Sequence, residues 1–143
     1  MEIERIIAAL AEKKVKYLLI GGHASIIHGV PRTTTDIDIA ILPSASNLRR
    51  CIEALKSVGM SSDTEDEEDI LGQGGITFSN ERDVDVLTSL AGGEDFTRLW
   101  KNRVRVKYRG LIINVISSRD QARLLKAAGR KRDLEDLEFL ERD

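Results

Sequence analysis

The sequence predicts an α/β (α+β) fold in which helices flank a small mixed sheet. Residues 17–42 contain a short apolar run, a double glycine and an alternating segment, an order typical of strand, short helix and strand. Residues 104–116 alternate on both sides of an Arg-Gly turn, which indicates a β-hairpin. Apolar residues recur at helical spacing near both ends of the chain. A single domain over residues 1–143 is expected, because this length supports one core but hardly two.

The first half of the chain alternates helical and extended patterns. Residues 2–14 place isoleucines and a leucine on one side of a predicted amphipathic helix. A short helix is predicted over residues 22–28, and Ser44 is the predicted cap of a third helix that ends near Val58. The acidic run at residues 63–69 is predicted to be a solvated, mobile loop.

The second half is predicted to begin with two paired strands around an Asn-Glu turn at residues 80–81. A short helix carrying Phe96 and the hairpin follow, and then Ser117 or Ser118 caps a helix that ends at Gly129. The last helix is expected to turn three leucines inward: Leu134, Leu137 and Leu140.

The composition is that of an ordinary globular protein, with 41% hydrophobic residues, 32% charged residues and a formal net charge of −2. The single cysteine, Cys51, excludes an internal disulfide and a cysteine zinc site, and it fits a reducing compartment. No apolar run approaches the roughly 20 residues of a membrane span, and the N-terminus lacks a signal-peptide pattern. A cytoplasmic protein without a membrane partner is therefore expected.

A double glycine ends the first predicted strand. The apolar run from Tyr17 to Ile20 is typical of a buried strand, and it stops at Gly21 and Gly22. Glycine lets a backbone come close to a ligand, and the N–H groups at the start of the following helix favour phosphate. The sequence therefore predicts a phosphate-binding turn here.

Two carboxylates lie on the second strand. Side chains on a strand alternate between its faces, so Asp36 and Asp38 share one face while Ile37 and Ile39 share the other. Adjacent carboxylates between isoleucines repel each other, and a divalent cation between them removes that cost. A plainer interpretation is a pair of solvated residues at the start of a strand. The neighbouring phosphate-binding turn favours a site for a nucleoside triphosphate with magnesium.

These residues together resemble the signature of the nucleotidyltransferase superfamily. The superfamily includes DNA polymerase beta, the aminoglycoside and lincosamide nucleotidyltransferases and the AbiEii-type toxins. The matching parts are Ile20-Gly21-Gly22, a spacer over residues 23–35, and Asp36-Ile37-Asp38. The resemblance covers nearly the whole chain and implies a nucleotidyltransferase fold whose sheet carries the acidic residues, with a helical C-terminus.

The family has a third carboxylate on a later strand, between hydrophobic residues. Asp85, between Val84 and Val86, is the best match, and Asp83 is the competing choice on the same strand face. The resemblance implies that Asp36, Asp38 and Asp85 are catalytic and bind magnesium, as two ions. It also implies that Asp85 can draw the proton from the attacking hydroxyl.

Basic residues are expected to contact the triphosphate. Arg119, Arg123, Lys126 and Arg130 recur on one side of a predicted helix, either as a solvated stripe or as phosphate contacts. The segment around Lys126 and Arg130 resembles the C-terminal segment of the small prokaryotic branch of the family, which favours these two. Arg32, in the loop before the carboxylates, is a further candidate.

The leading interpretation is a magnesium-dependent nucleotidyltransferase that moves a nucleoside monophosphate from a triphosphate to a hydroxyl. The acceptor is a small aminoglycoside-like molecule, a protein side chain or a transfer RNA end. The alternative is a non-catalytic antitoxin or regulatory subunit of a toxin–antitoxin pair, and a third interpretation is an RNA-binding domain that uses the basic hairpin. The chain is short and has few aromatic residues, so the acceptor site is expected to need a second copy of the chain or a separate partner.

Overall fold

The structure is a computed structural model that describes residues 2–142. Over this range the chain forms seven α-helices and six strands. The helices are α1 (Ile3–Glu12), α2 (Gly21–Ile27), α3 (Ala45–Ser57), α4 (Glu67–Gln73), α5 (Phe96–Lys101), α6 (Ser118–Ala128) and α7 (Lys131–Leu140). The strands are β1 (Tyr17–Ile20), β2 (Ile37–Ile41), β3 (Gly75–Ser79), β4 (Asp83–Leu87), β5 (Val104–Tyr108) and β6 (Leu111–Val115).

The six strands form one mixed sheet in the order β3-β4-β2-β1-β6-β5. The central strand β2 is antiparallel to β1 and parallel to β4, and β1 is parallel to β6. The two outer pairs, β3 with β4 and β5 with β6, are antiparallel hairpins. The predicted α/β class with a small mixed sheet is confirmed.

The core follows the predicted alternation on the carboxylate strand. Ile37 and Ile39 are fully buried, whereas the intervening Asp38 is half-buried. Helix α1 buries Ile6 and Leu10 in the same core. Because successive side chains on a strand point to opposite faces, burial of the isoleucines turns Asp38 to the other face.

Serine and glycine set the helix ends that the sequence predicts. The Ser44 hydroxyl accepts a hydrogen bond from the Asn47 amide at 3.2 Å, which caps α3. Of the two candidates for α6, Ser117 is the cap, and its hydroxyl accepts from the Asp120 amide at 3.1 Å. Gly129 ends α6 in the left-handed conformation, with φ 65°.

The acidic run contains the start of a helix, so its prediction as a mobile loop is wrong for its second half. Asp66 caps α4, and its carboxylate accepts a hydrogen bond from the Asp69 amide at 2.9 Å. Glu67 in the first turn pairs with Arg49 of α3 at 2.8 Å. Negative charge at a helix N-terminus is stabilised by the free N–H groups and the helix dipole, so the acids favour a helix start here.

The inward face of α7 is acidic, and the prediction that Leu134 faces inward is wrong. Leu134 is 49% exposed, whereas Asp133 and Asp136 are both 5% exposed. Arg130 pairs with Asp133 at 2.7 Å and Arg32 pairs with Asp136 at 2.7 Å. Burial of a carboxylate is tolerated when an arginine pairs with it, and these partners outweigh the leucine spacing.

No helix within residues 2–142 is both long enough and apolar enough to cross a membrane.

Candidate active site

The site is built on a row of paired residues that crosses the sheet. Asp38 on β2 pairs with Ile20 on β1 and with Asp85 on the parallel strand β4. Asp85 in turn pairs with Thr77 on β3. Directly opposed residues on neighbouring strands have Cβ atoms about 4.5–5.5 Å apart, so this register brings Asp38 and Asp85 together.

The three predicted acids border one open cleft. Asp36 lies one residue before β2, and together with Asp38 and Asp85 it lines a cleft of about 310 Å³. The cleft also has an apolar wall, made by residues from the end of β4, the turn after it and the inner side of α6. These residues are Leu87, Leu90, Ala91, Leu124, Leu125 and Ala128.

The first glycine of the double-glycine turn touches the carboxylate of Asp38. Gly21 also lines the cleft, and it has φ +68°, a conformation that disfavours L side chains. A Cβ atom at Gly21 would lie 2.9 Å from Asp38 Cγ, closer than such atoms approach. At Gly22 a Cβ would lie 2.9 Å from Thr34 Oγ1, on the loop that leads to Asp36. Glycine is therefore required here to bring the turn against the acids.

A buried glutamine holds this turn. Gln121 of α6 is 1% exposed, and its Nε2 donates to the carbonyl of Gly21 at 3.0 Å and to the Ser25 hydroxyl at 3.1 Å. The carbonyl can only accept, so it sets the orientation of the amide. Helix α6 is thus tied to the start of α2 directly beside the cleft.

The surroundings of Asp38 disfavour its ionised form. The pKa of Asp38 is raised from 3.8 to about 7, first by burial, then by the hydrogen bond and charge of Asp85, and then by the charge of Asp36. Arg130 acts in the opposite direction but does not cancel the rise. A bound cation would lower the pKa of Asp38 and favour its ionised form.

Asp83 and Asp85 lie in different surroundings although they share a strand face. Asp85 lines the cleft, and its carboxylate accepts a hydrogen bond from the Thr77 hydroxyl. Asp83 accepts from the Ser79 hydroxyl at 2.7 Å. It borders a separate depression beside the cleft, which only Asp36 shares with the three-acid site. Of the two candidates, Asp85 is therefore the one that faces Asp38.

Arg32, Lys126 and Arg130 were predicted to contact the triphosphate, and of these three Arg130 lines the cleft. Gly129 ends α6 with φ 65°, and the chain turns there so that Arg130 comes to the cleft. Asp133, one turn into α7, accepts hydrogen bonds from the Arg130 guanidinium at 2.7 and 3.2 Å. This pairing raises the pKa of Arg130. Arg132 also lines the cleft, which adds a second cation that the sequence did not single out.

Arg32 and Lys126 are not among the residues that line the cleft, contrary to the expectation that one of them would border it. Arg32 is paired with Asp136 of α7 at 2.7 Å. Lys126 lines a different groove, on the outer side of α6. The apolar side of α6 faces the cleft, so the basic stripe opposite it points away.

The donor set fits a metal ion that is completed by its substrate. Among residues 2–142, no three acidic, histidine or cysteine side chains are grouped closely enough to hold a metal ion by themselves. Magnesium characteristically takes one or two carboxylates and fills its other positions with substrate phosphate oxygens and water. Asp38 and Asp85 are adjacent and line an open cleft, and a bound cation would relieve the repulsion that raises the pKa of Asp38, so the pair suits such a partial site.

Besides Arg132, three residues at or beside the site were missed by sequence reasoning. Gln121 is a polar residue on the leucine-bearing side of α6, a pattern that signals a buried hydrogen bond. Asp133 follows Arg130 by three residues, the spacing of a helix-start ion pair. Thr77 was missed because the predicted two-residue turn at residues 80–81 would pair it with Val84, whereas the loop spans residues 80–82 and pairs Thr77 with Asp85.

Solved structures with the same fold are nucleotidyltransferases. TM1012 of Thermotoga maritima, classed as a nucleotidyltransferase, superposes with a TM-score of 0.67 at 20% identity, over 96% of this chain and 88% of that one. The lincosamide antibiotic adenylyltransferase LnuA, solved with lincomycin bound, has a TM-score of 0.67 at 21% identity, over 97% and 94% of the two chains. ANT(2″)-Ia, solved with adenylyl-2″-tobramycin, has a TM-score of 0.67 at 14% identity, over 96% and 84%.

No protein-family model matches this chain, and no curated protein matches its sequence at a significant level. At identities of 14–21% the likeness to the solved structures is one of fold. The sheet order, the glycine turn against the acids and these superpositions lead to one conclusion: the chain has the nucleotidyltransferase fold.

Proposed function

We propose that the protein is a magnesium-dependent nucleotidyltransferase that moves a nucleoside monophosphate from a nucleoside triphosphate to a hydroxyl of an acceptor. The observation that carries the proposal is the pairing of Asp38 and Asp85 on adjacent strands, directly against Gly21 and inside an open cleft. A buried carboxylate away from the cleft is paired with a cation, as Asp136 is with Arg32. Asp38 and Asp85 instead lie side by side on adjacent strands and line an open cleft.

Asp36, Asp38 and Asp85 would hold magnesium, as two ions once the triphosphate is bound. Magnesium neutralises charge on the phosphate oxygens and on the attacking and leaving oxygens. The absence of a Cβ at Gly21 lets the Asp38 carboxylate pack against the turn, and a triphosphate in the open cleft would meet both. Arg130 and Arg132, which also line the cleft, would contact the triphosphate oxygens.

Asp85 is the proposed acceptor of the proton from the attacking hydroxyl. The hydroxyl oxygen forms a bond to the α-phosphorus, the bond from that phosphorus to the bridging oxygen breaks, and pyrophosphate leaves. The base or the apolar part of the acceptor would pack against the apolar wall, which includes Leu87 and Ala128. These side chains offer packing area without hydrogen bonds.

A small molecule is the acceptor class that we propose first. LnuA and ANT(2″)-Ia, which share the fold, were solved with lincomycin and with an adenylylated tobramycin. Protein side chains and transfer RNA ends remain the competing acceptors, and a transfer assay on all three classes separates them. The non-catalytic alternative does not account for an Asp38 carboxylate kept half-buried beside two other acids.

The test is transfer of α-³²P label from each of the four nucleoside triphosphates, with magnesium, to a panel of acceptors. The panel holds lincosamides, aminoglycosides, total transfer RNA and cell extract protein. The native protein is compared with Asp38→Asn and with Asp83→Asn, a matched change on the neighbouring strand outside the cleft. Label transfer should vanish in Asp38→Asn and persist in Asp83→Asn. Equal labelling by all three proteins, or none by the native protein at saturating triphosphate, would reject the proposal.

A further inference from the structure

We infer that Thr77 is a positioning residue for Asp85, an inference that rests on the proposed function. Thr77 lies on the edge strand β3, directly opposite Asp85 in the antiparallel register of β3 and β4. Its hydroxyl donates a hydrogen bond to Asp85 Oδ1. Thr77 does not itself line the cleft, so any effect on the reaction passes through Asp85.

The alternation of side chains on β3 and β4 explains why the Thr77 hydroxyl faces Asp85. Phe78 and Val84 pair with each other and are fully buried, so their neighbours on each strand turn to the opposite face. That face carries Thr77 and Ser79 on β3 and Asp83 and Asp85 on β4. Each hydroxyl therefore meets one carboxylate, which gives two contacts of the same kind on one hairpin.

Only one of the two contacts reaches the cleft. Asp85 has Thr77 on one side and Asp38 on the other, because the row of paired residues continues from β3 through β4 to β2. With Oδ1 engaged by the Thr77 hydroxyl, the Asp85 carboxylate is held in one orientation between Thr77 and Asp38 at the cleft. Asp83, engaged in the same way by Ser79, borders the neighbouring depression instead.

Threonine suits this role better than serine or a longer residue. A β-branched side chain has few χ1 rotamers, and on a strand it packs well, so the hydroxyl is presented in a fixed direction. Without it, the Asp85 carboxylate would be free to rotate and to leave the orientation in which it meets Asp38, its neighbour in the row. Partners of this kind, which orient a metal-binding or reacting carboxylate, typically contribute about 10–100-fold to affinity or rate.

The test compares Thr77→Val, Thr77→Ser and Ser79→Ala in the full chain. Valine keeps the shape and the strand preference of threonine and removes the hydroxyl, whereas serine keeps the hydroxyl. Ser79→Ala removes the equivalent contact that does not reach the cleft. Two readouts are used: kcat and KM for the triphosphate, and the Kd for Mn²⁺ measured by calorimetry with a non-reacting triphosphate analogue present.

Because the Thr77 contact is exposed to solvent, we expect the lower end of that range. Thr77→Val should lower kcat about tenfold and weaken Mn²⁺ binding about tenfold, with KM for the triphosphate changed less than about twofold. Thr77→Ser should stay within about threefold of the native protein, and Ser79→Ala should match it.

Several results would overturn the inference. One is a Thr77→Val variant whose kcat and Mn²⁺ affinity are those of the native protein. Another is a Thr77→Ser variant that loses as much kcat and Mn²⁺ affinity as Thr77→Val. A third is an equal loss in Ser79→Ala, which would indicate a general effect on the hairpin. A native protein that transfers no label rejects the proposed function, and the Mn²⁺ measurement still decides whether Thr77 positions Asp85.

Discussion

Asp38 and Asp85 are direct partners on adjacent parallel strands, and the Asp38 carboxylate lies against the backbone of Gly21. The cost of this arrangement is reflected in the pKa of Asp38, which burial and the neighbouring acids raise to about 7. A fold that only needed a stable sheet would place an apolar or neutral residue at this position. A carboxyl group with a strongly perturbed pKa in an open cleft supports the proposal that the reaction takes place there.

Removal of the Asp38 charge should stabilise the metal-free protein. The folded-state pKa of about 7 lies above the ordinary value of 3.8, so the native state binds the proton more tightly than the unfolded chain. The resulting stability is present below about pH 4 and is lost as the pH rises toward 7. At pH 8, Asp38→Asn should raise the free energy of unfolding by roughly 1–2 kcal/mol, a figure reduced for solvent screening.

Urea unfolding in EDTA at pH 5 and pH 8 measures this effect. The difference in the free energy of unfolding between the native protein and Asp38→Asn should be larger at pH 8 than at pH 5. Asp83→Asn is the control, because Asp83 is paired with a hydroxyl outside the cleft. A difference that does not change with pH would contradict the assignment of the charge cost to Asp38.

Gly21→Ala should remove activity by more than about 100-fold, since the new methyl group would displace the Asp38 carboxylate. Gly93→Ala is a close control, because Gly93 has φ +67° against +68° at Gly21, but a Cβ atom at Gly93 would meet no atom within 4 Å. Both changes should cost about 1–2 kcal/mol of stability from the left-handed backbone alone. Thermal melts and label transfer together measure both parts, and equal loss of activity in the two variants would refute a steric cause.

Arg130→Gln should raise KM for the triphosphate about tenfold or more, whereas Lys126→Gln should leave it nearly unchanged. The reason is position, since Arg130 lines the cleft and Lys126 lines a groove on the outer side of α6. Initial rates over a range of triphosphate concentrations provide the measurement. A larger effect at Lys126 than at Arg130 would mean that the triphosphate binds on the outer side of α6.

The Arg32–Asp136 pair should contribute to the docking of α7. Asp136 is 5% exposed, so Arg32→Met leaves a buried carboxylate without its partner and should destabilise the protein by about 3 kcal/mol. Asp136→Leu in the same chain removes that unpaired charge, and the double variant should recover most of the loss. Urea unfolding of the two single variants and the double variant measures the coupling, and strict additivity would show that the two residues do not interact.

Much of the fold was predictable because the relevant signals are local. Period-two alternation identified β2 and placed Asp36 and Asp38 on one face, and the glycines marked the start of α2 and the end of α6. The prediction of a mobile loop for the acidic run was wrong in its second half for a physical reason. Its charges were read as a sign of solvation, whereas at residues 66–69 they lie at a helix start, where the free N–H groups stabilise them.

The sequence alone located the acids and the glycines, and local alternation determined which face of its strand each side chain takes. Tertiary structure decided the neighbours: β4 lies beside β2 in parallel, so Asp85 rather than Asp83 faces Asp38, and Thr77 lies behind it. It also paired Arg32 with a buried acid of α7 and turned Lys126 away from the cleft. The physical reason is that alternation and capping depend on adjacent residues, whereas strand register and ion pairing depend on which distant segments exclude water together.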